Sequence, residues 1–166
     1  MNRRHCGVQK PKWIKFGTEF SSDNAGDGPV SATSSSLTPL VIAAWNCNGH
    51  LTSSGMDTVA MIIQHYNIDI FMLSDTQLDD RSARWKIKQL RKLVSGYSIL
   101  SFPTSRASYN KHGGYRMNTM GGSMIIISPR CATTIIDSGS DPSGLSITAY
   151  ALLSINNQKL CFISYY

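Results

Sequence analysis

The sequence predicts a mixed α/β fold in which helices cover a β-sheet. Residues 40–45 form a short apolar run that stops at residues 46–49 (Asn-Cys-Asn-Gly), which is typical of a buried strand ending in an Asn-Gly turn. Residues 68–73 form a second apolar run, and the segment between the two has helical periodicity. The order strand, helix, strand indicates a βαβ unit with parallel strands. Beyond Gly96 the β-rich segments follow one another, which indicates antiparallel pairing.

Two helices are predicted, each with one apolar face. In the first, apolar residues recur at helical spacing from Val59 to Tyr66, and Asp57 is the expected N-terminal cap. The second helix covers residues 80–94, with Ser82 as its expected cap and Gly96 just beyond its end. Cationic residues fall mostly on the other face of the second helix: Arg81, Arg84, Lys86, Lys88, Arg91 and Lys92.

The second half of the chain predicts five further strands separated by turn residues. These segments are residues 97–102, 121–128, 133–136, 145–155 and 160–166. The last two are joined by Asn156-Asn157 and predict a hairpin. The loop between Thr104 and Met120 is basic and contains Arg116.

Residues 1–39 are predicted to be a disordered leader in front of one domain, residues 40–166. The leader starts with five cationic residues and continues with a Ser-, Gly- and Pro-rich stretch that lacks periodic apolar positions. The leader and the second helix therefore carry two basic patches in a chain of net charge +6. Such patches attract phosphate backbones without reading their sequence. A solubilising tail and a solvated helix face are the alternative interpretation.

The N-terminus and the cysteines indicate an intracellular protein that is not secreted. No apolar signal segment follows the basic residues, and no apolar run approaches the roughly 20 residues of a membrane helix, so no membrane partner is expected. The cysteines lack C-x-x-C spacing, and we expect buried thiols in a reducing compartment. These residues are Cys6, Cys47, Cys131 and Cys161.

Polar side chains stand where both parallel strands are predicted to end. Asn46 and Asn48 follow the first strand, and Asp75, Thr76 and Gln77 follow the second. Ligands of α/β sheets gather at this end of the strands, so the two groups are expected to meet. One carboxylate with amide oxygens is a hard donor set that suits Mg²⁺ bound to a substrate phosphate. Ordinary turn and cap roles are the alternative.

Four stretches of the chain form a recognisable series: residues 42–49 (IAAWNCNG), 68–78 (IDIFMLSDTQL), 121–128 (GGSMIIIS) and 160–166 (LCFISYY). In this order they resemble the opening of the endonuclease/exonuclease/phosphatase superfamily. More narrowly, they resemble the apurinic-type endonuclease domain of non-LTR retrotransposon polyproteins. The resemblance covers residues 40–166 and implies a partial, truncated four-layered α/β sandwich with mixed sheets and flanking helices.

The resemblance also implies hydrolysis of a DNA phosphodiester by water, assisted by Mg²⁺ or Mn²⁺. It assigns the catalytic positions to Asn46, Asn48 and Tyr166, and the metal-binding positions to Asp75 and Asn46. The tyrosine would position the scissile phosphate. Basic side chains outside this site are the expected DNA contacts: Arg84, Lys88, Arg91, Lys92 and Arg116.

Two departures from the family pattern predict that the chain is inactive as given. Asp75 stands where the family has glutamate, and displacing a catalytic group by about 1 Å can cost roughly 100-fold in rate. The later Asp-x-Asn and Asp-His motifs of the family have no counterpart before Tyr166. His50 and His112 do not replace them and are expected to be loop histidines.

A chain that stops at this point is also expected to expose an apolar sheet face. Met124, Ile126 and Leu153 would face water, a complementing C-terminal half or a reverse transcriptase segment. Two rival functions stay open. One is a non-catalytic nucleic-acid-binding remnant, and the other is a phosphatase or phospholipid-esterase branch of the superfamily. The resemblance adds the nucleus to the expected compartments.

Overall fold

Two β-sheets and three helices form the part of the chain that the computed structural model describes: residues 12–16 (backbone only), 39–49, 51–104 and 120–166. In chain order the elements are β1 (Lys12–Phe16), β2 (Leu40–Asn46), α1 (Ser53–Tyr66), β3 (Ile70–Ser74), α2 (Asp80–Leu93), β4 (Ser98–Phe102), β5 (Ser123–Ile127), α3 (Pro129–Ala132), β6 (Ile135–Ser140), β7 (Thr148–Ile155) and β8 (Gln158–Tyr165). The first sheet has the order β1-β2-β3-β5-β4, and the second has the order β6-β7-β8. The predicted mixed α/β fold is confirmed.

The βαβ unit forms as its periodicity predicted. Strands β2 and β3 are parallel, with Ile42 opposite Ile70 and Asn46 opposite Ser74. Strand β5 then pairs antiparallel with both β3 and β4. The predicted hairpin of β7 and β8 is also present, and it turns at Asn156 and Asn157, whose φ angles are 51° and 61°. Asparagine tolerates this left-handed conformation better than most residues.

Both helices begin earlier than their predicted caps. The Thr52 side chain accepts a hydrogen bond from the Gly55 backbone N at 3.3 Å, so α1 starts one turn before the expected cap Asp57. Asp79 caps α2 by accepting from the Ser82 backbone N at 2.7 Å, so Ser82 receives the cap instead of providing it. In each case the oxygen that caps the helix belongs to a side chain three residues before the backbone N–H group that it accepts from.

Two apolar layers cover the first sheet, one on each face. Alternate residues of β3 and β5, such as Phe71 and Met124, point to α1 and α2, while Ile70 and Ile125 point to the second sheet. The expectation that Met124, Ile126 and Leu153 face water is wrong, because their exposed fractions are 0%, 1% and 0%. The helices bury the first two, and Leu153 lies between the two sheets of this same chain.

The described part of the leader differs from the expectation of disorder. Residues Lys12–Phe16 form β1 and pair antiparallel with β2. Buried free thiols are found at Cys47 and Cys131, but Cys161 is exposed, contrary to expectation. Among the described residues, no helix is long and apolar enough to cross a membrane. Four residues with sequence-based expectations lie outside the described residues: Cys6, His50, His112 and Arg116.

Asp69 joins three segments just before β3 begins. Its carboxylate accepts hydrogen bonds from the Val41 backbone N at 2.8 Å, from the Ser128 hydroxyl at 3.0 Å and from the Arg130 guanidinium. Burial acts to raise the pKa of the Asp69 carboxyl, but these hydrogen bonds outweigh it and hold the pKa below its usual value. This network fixes one end of the sheet, at a distance from the carboxyl ends of β2 and β3.

Candidate functional site

The carboxyl ends of β2 and β3 lie side by side, as the candidate site requires. The backbone N of Cys47 donates to the Ser74 carbonyl at 2.9 Å, and that of Gly49 donates to the Asp75 carbonyl at 2.9 Å. Parallel pairing thus continues past the last residues of both strands. The two polar stretches that the sequence singled out therefore share one edge of the sheet, which we call the strand edge (residues 46–49 and 75–77).

On the β2 side of the strand edge, two exposed amides form a tight turn. The Asn46 side chain oxygen accepts a hydrogen bond from the Asn48 backbone N at 3.0 Å, and both residues are exposed. Asn48 has a φ of 44°, a left-handed conformation that asparagine tolerates. Asn46 could meet a ligand from solvent, although its oxygen already holds the turn together.

On the β3 side, Asp75 is sealed inside the structure. Its exposed fraction is 1%. One carboxylate oxygen accepts from the Gly121 backbone N at 3.0 Å, and the other accepts from the Gln77 side chain at 3.1 Å. Asp75 and Gln77 both have left-handed backbones, with φ angles of 49° and 53°. The carboxylate therefore holds a strained loop against the segment that leads into β5.

A pair of glycines lets that segment approach the loop closely. The backbone N of Thr76 donates to the Gly122 carbonyl at 3.0 Å, and that of Gln77 donates to the Gly121 carbonyl at 2.8 Å. Both glycines have left-handed φ angles, 82° and 79°, and a β-carbon on Gly121 would meet the Leu145 carbonyl oxygen at 2.3 Å. At Gly122 a β-carbon would meet the Thr76 hydroxyl oxygen at 2.7 Å, and the left-handed φ favours glycine at both positions. Sequence reasoning read this pair as the start of a strand and missed its part in the loop.

Cys47 is a buried residue of the strand edge, and its thiol is unreactive. Burial raises the pKa of its thiol, and the negative charge of Asp75 raises it further. A thiol in this environment stays protonated at neutral pH, and the thiolate is the reactive form. Cys47 is thus a packing residue of the helix-side core.

Tyr166 directly follows β8. This strand belongs to the second sheet and contacts β3 of the first sheet. The backbone N of Tyr166 donates to the Ile147 carbonyl at 3.1 Å, and the residue is 41% exposed. Two residues earlier, the Ser164 hydroxyl donates a hydrogen bond to the Leu73 carbonyl at 3.4 Å. This hydrogen bond joins β8 to the C-terminal end of β3. The packing of the second sheet on the first therefore brings the end of β8 towards the strand edge, and Tyr166 stays exposed to solvent.

The donor set at the strand edge does not fit Mg²⁺ or Mn²⁺ as the side chains are arranged. These ions take carboxylate oxygens together with water and substrate phosphate, which requires a carboxylate that solvent can reach. Asp75 is the carboxylate of the strand edge, and it is buried with a donor on each oxygen. Within the described residues, no group of three or more His, Cys, Asp or Glu side chains lies together.

A second candidate surface runs along the outer side of α2. Five cationic side chains are exposed there at helical spacing, together with an exposed tryptophan. We call this set the α2 face: Arg81, Arg84, Trp85, Lys88, Arg91 and Lys92. Residues at these intervals share one side of a helix and here extend over about 16 Å. Among the described residues, none of the five cations forms an ion pair, since the pair that the structure shows is Arg130 with Asp69.

The buried side of α2 fixes the α2 face in place. Ala83 and Leu90 pack into the helix-side core, and the Gln64 side chain of α1 donates to the Leu93 carbonyl at 2.9 Å. Lys86 is the exception among the predicted cations, because it is buried, with its ammonium 4.6 Å from the centre of the Trp85 ring. Burial lowers the pKa of Lys86, and Asp57 opposes that shift.

The sequence supplied four of the α2 cations as candidate DNA contacts, and the structure exposes all four: Arg84, Lys88, Arg91 and Lys92. It also exposes Arg81, which the sequence placed in the basic patch of the helix, and Trp85, which sequence reasoning did not select. Helical spacing in the sequence was sufficient to place both residues on this face, because they lie seven and three residues before Lys88. Trp85 stands at an exposed position of a helix whose core face was already accounted for by Ala83 and Leu90.

Several solved structures are similar to this chain. An AP endonuclease from Leishmania major matches over 75% of this chain and 39% of its own, with a TM-score of 0.53 and 16% identity. A humanized D. rerio TDP2 with 14 mutations matches over 75% of this chain and 48% of its own, with a TM-score of 0.50 and 18% identity. An endonuclease/exonuclease/phosphatase family protein from Leptotrichia buccalis C-1013-b matches with a TM-score of 0.49 and 15% identity, over 75% of this chain and 54% of its own.

Over the matched part, the chain has the fold of the AP endonuclease. No protein-family model matches the chain, and no curated protein does. The chain spans 39% of the AP endonuclease and 48% of the TDP2 chain, so neither protein's activity transfers with the fold.

Proposed function

We propose that this chain binds nucleic acid along the α2 face and that its strand edge does not hydrolyse phosphodiesters unaided. One observation carries the proposal: five exposed cations lie along one side of a helix, over about 16 Å. Cations in such a row neutralise successive phosphates, which gives affinity without sequence readout. The helix is packed against the sheet on its other side, so the row is presented by a rigid element.

The state of Asp75 supports the second half of the proposal. Hydrolysis at the strand edge would need this carboxylate to reach a hard cation or a water molecule. Instead its oxygens hold Gly121 and Gln77, and it is 1% exposed. Opening it would break both hydrogen bonds and would leave a strained loop without its anchor.

Fluorescence anisotropy with a labelled oligonucleotide in EDTA tests the binding. If all five cations of the α2 face contact phosphate, they contribute a slope of about −3.5 to the plot of log K against log salt for a single strand. Between 50 and 200 mM salt this corresponds to a loss of affinity of roughly 100-fold. Binding that is absent, or that does not respond to salt, would contradict the proposal.

A matched pair of variants locates the binding surface. Lys88→Gln combined with Lys92→Gln should reduce the magnitude of the slope by about 1.4, because two phosphate contacts are lost. Lys159→Gln removes an exposed charge from β8, on the second sheet, and should leave the slope unchanged. A reduction of about 0.7 in Lys159→Gln, half the effect for half the charge removed, would mean that net charge matters and the α2 face does not.

Magnesium-dependent phosphodiester hydrolysis is the second candidate function, and the juxtaposition of Asn46 with the β3 end favours it. Nicking of a supercoiled plasmid in Mg²⁺ tests this function directly. We expect no nicking by the chain alone. Nicking by the wild type that disappears in Asp75→Asn would establish the second candidate and would refute the claim of an inert strand edge.

The narrower origin suggested by the sequence stays a proposal as well. The four stretches that resemble the endonuclease domain of non-LTR retrotransposon polyproteins support it, and with it a nuclear location and a complementing C-terminal segment as partner. The nucleotide sequence downstream of Tyr166 tests it. Codons for the family's Asp-x-Asn and Asp-His motifs, in any frame, are the expected result, and unrelated sequence is the contrary one.

A further inference from the structure

Trp85 is the aromatic member of the α2 face, and it is not among the residues that pack into the helix-side core. Its exposed fraction is 56%, whereas the apolar residues that anchor α2, Ala83 and Leu90, are 2% and 0% exposed. Arg81 and Lys88 stand one turn away on either side of it. Sequence-tolerant binders of single strands likewise combine cations that follow the backbone with aromatic side chains on which bases stack.

We propose that Trp85 makes the α2 face selective for single-stranded nucleic acid, by stacking on an unpaired base while the flanking cations hold the phosphates. The inference rests on the proposed function, because it concerns the same surface. It adds the class of nucleic acid that the surface prefers.

Lys86 supports the ring rather than the ligand. It is 8% exposed, and its ammonium lies 4.6 Å from the centre of the Trp85 ring, within the range of a cation–π contact. Such a contact restricts the ring and reduces the entropy that stacking would cost. Trp85 remains 56% exposed, which leaves part of its side chain for contact with a base.

A duplex cannot use Trp85 in this way. The bases of a double helix are stacked on one another, and only a base that leaves the stack can cover an aromatic side chain on a convex helix surface. A duplex would therefore contact the cations alone.

A membrane surface fits the α2 face less well than a single strand does. Helices that bind in a lipid interface insert a broad apolar face. The apolar face of α2 is instead buried against α1 and the first sheet, which leaves one tryptophan for insertion. Charge complementarity with phosphate together with one stacking ring favours the single strand.

The test compares a labelled 12-nucleotide single strand with the duplex of the same sequence, in EDTA at fixed salt. The wild type should bind the single strand more tightly. Trp85→Leu should weaken single-strand binding by about 5- to 150-fold, the range for losing one stacked base, and should leave duplex binding unchanged. Trp85→Phe should retain most of the affinity but lose the quenching of tryptophan fluorescence that accompanies binding.

Tyr165→Leu is the matched control, because this tyrosine is 74% exposed on the second sheet, away from α2. It should change neither affinity. Thermal unfolding of Trp85→Leu should match that of the wild type, which separates a lost contact from lost folding.

Three results would overturn the inference, and they are distinguishable. Equal, salt-sensitive binding of both strands that Trp85→Leu does not alter would refute single-strand selectivity and leave the proposed function intact. Absence of binding to either oligonucleotide would refute the proposed function itself. Binding to phosphatidylserine vesicles without binding to oligonucleotides would refute both and assign the α2 face to a lipid surface.

Discussion

Replacing Asp75 distinguishes a structural anchor from a metal ligand. Asp75→Ala removes the acceptor of the buried Gly121 backbone N, and an orphaned donor of this kind costs about 1–3 kcal/mol. Alanine at a φ of 49° adds about 1 kcal/mol, since a left-handed backbone is unfavourable for it. The expected loss in the free energy of unfolding is therefore about 2–4 kcal/mol, or roughly 5–15 °C in Tm for a domain of this size.

Asp75→Asn provides the matched comparison. Asparagine keeps one oxygen for Gly121 and tolerates the left-handed backbone, and the Gln77 amide can turn to pair with its NH₂ group. We expect a loss below about 1 kcal/mol. Asp75→Ala and Asp75→Asn both remove the charge, so the difference between them measures the hydrogen bonds of the anchor together with the about 1 kcal/mol that alanine loses in the left-handed backbone.

Urea unfolding with and without Mg²⁺ is the assay. A resident Mg²⁺ site would stabilise the wild type by about 2.7 kcal/mol at a concentration 100 times its Kd. We expect Mg²⁺ to leave the unfolding free energy of the wild type unchanged. A stabilisation that appears in the wild type and vanishes in Asp75→Asn would show that the carboxylate opens to bind metal, and the anchor interpretation would be wrong.

Three further predictions follow from buried contacts. The depressed pKa of Asp69 means that its contribution to stability is complete above its unfolded pKa of about 3.9 and is lost as pH falls through the lower folded value. Asp69→Asn should lower the free energy of unfolding by about 2–4 kcal/mol at pH 7. It should also make the free energy of unfolding depend less on pH in acid. Gly121→Ala should cost at least about 2 kcal/mol in urea unfolding, because of its left-handed φ and the blocked β-carbon position. In a Cys6→Ser background, a maleimide should label Cys161 in the native protein and Cys47 after unfolding; equal native labelling would contradict the burial of the latter.

The sequence predicted the βαβ unit well because both of its signals are local. Leu40–Trp45 and Ile70–Leu73 are continuous apolar runs, which strands covered on both faces require. The hairpin was equally accessible, since Asn156 and Asn157 favour the left-handed turn that joins β7 to β8. In both cases the residues that indicate a strand or a turn are the residues that form it.

The surroundings of Asp75 could not be predicted in the same way. Its main partner, Gly121, lies 46 residues along the chain and reaches it only because β5 pairs with β3. Likewise, Leu153 was expected to face water because the sequence does not show that β6–β8 fold over the first sheet. Helical spacing, in contrast, was sufficient to find Trp85, but attention to charge alone passed over it.

Chemical-shift mapping shows most directly where nucleic acid contacts the chain. The ¹⁵N-labelled full-length protein is titrated with a single-stranded oligonucleotide in EDTA, and amide shifts are followed by residue. We expect the largest changes along residues 81–92 and at the indole N–H of Trp85, with the strand edge little affected. Changes concentrated at residues 46–49 and 75–77, with α2 unperturbed, would move the binding surface to the strand edge and contradict the proposal.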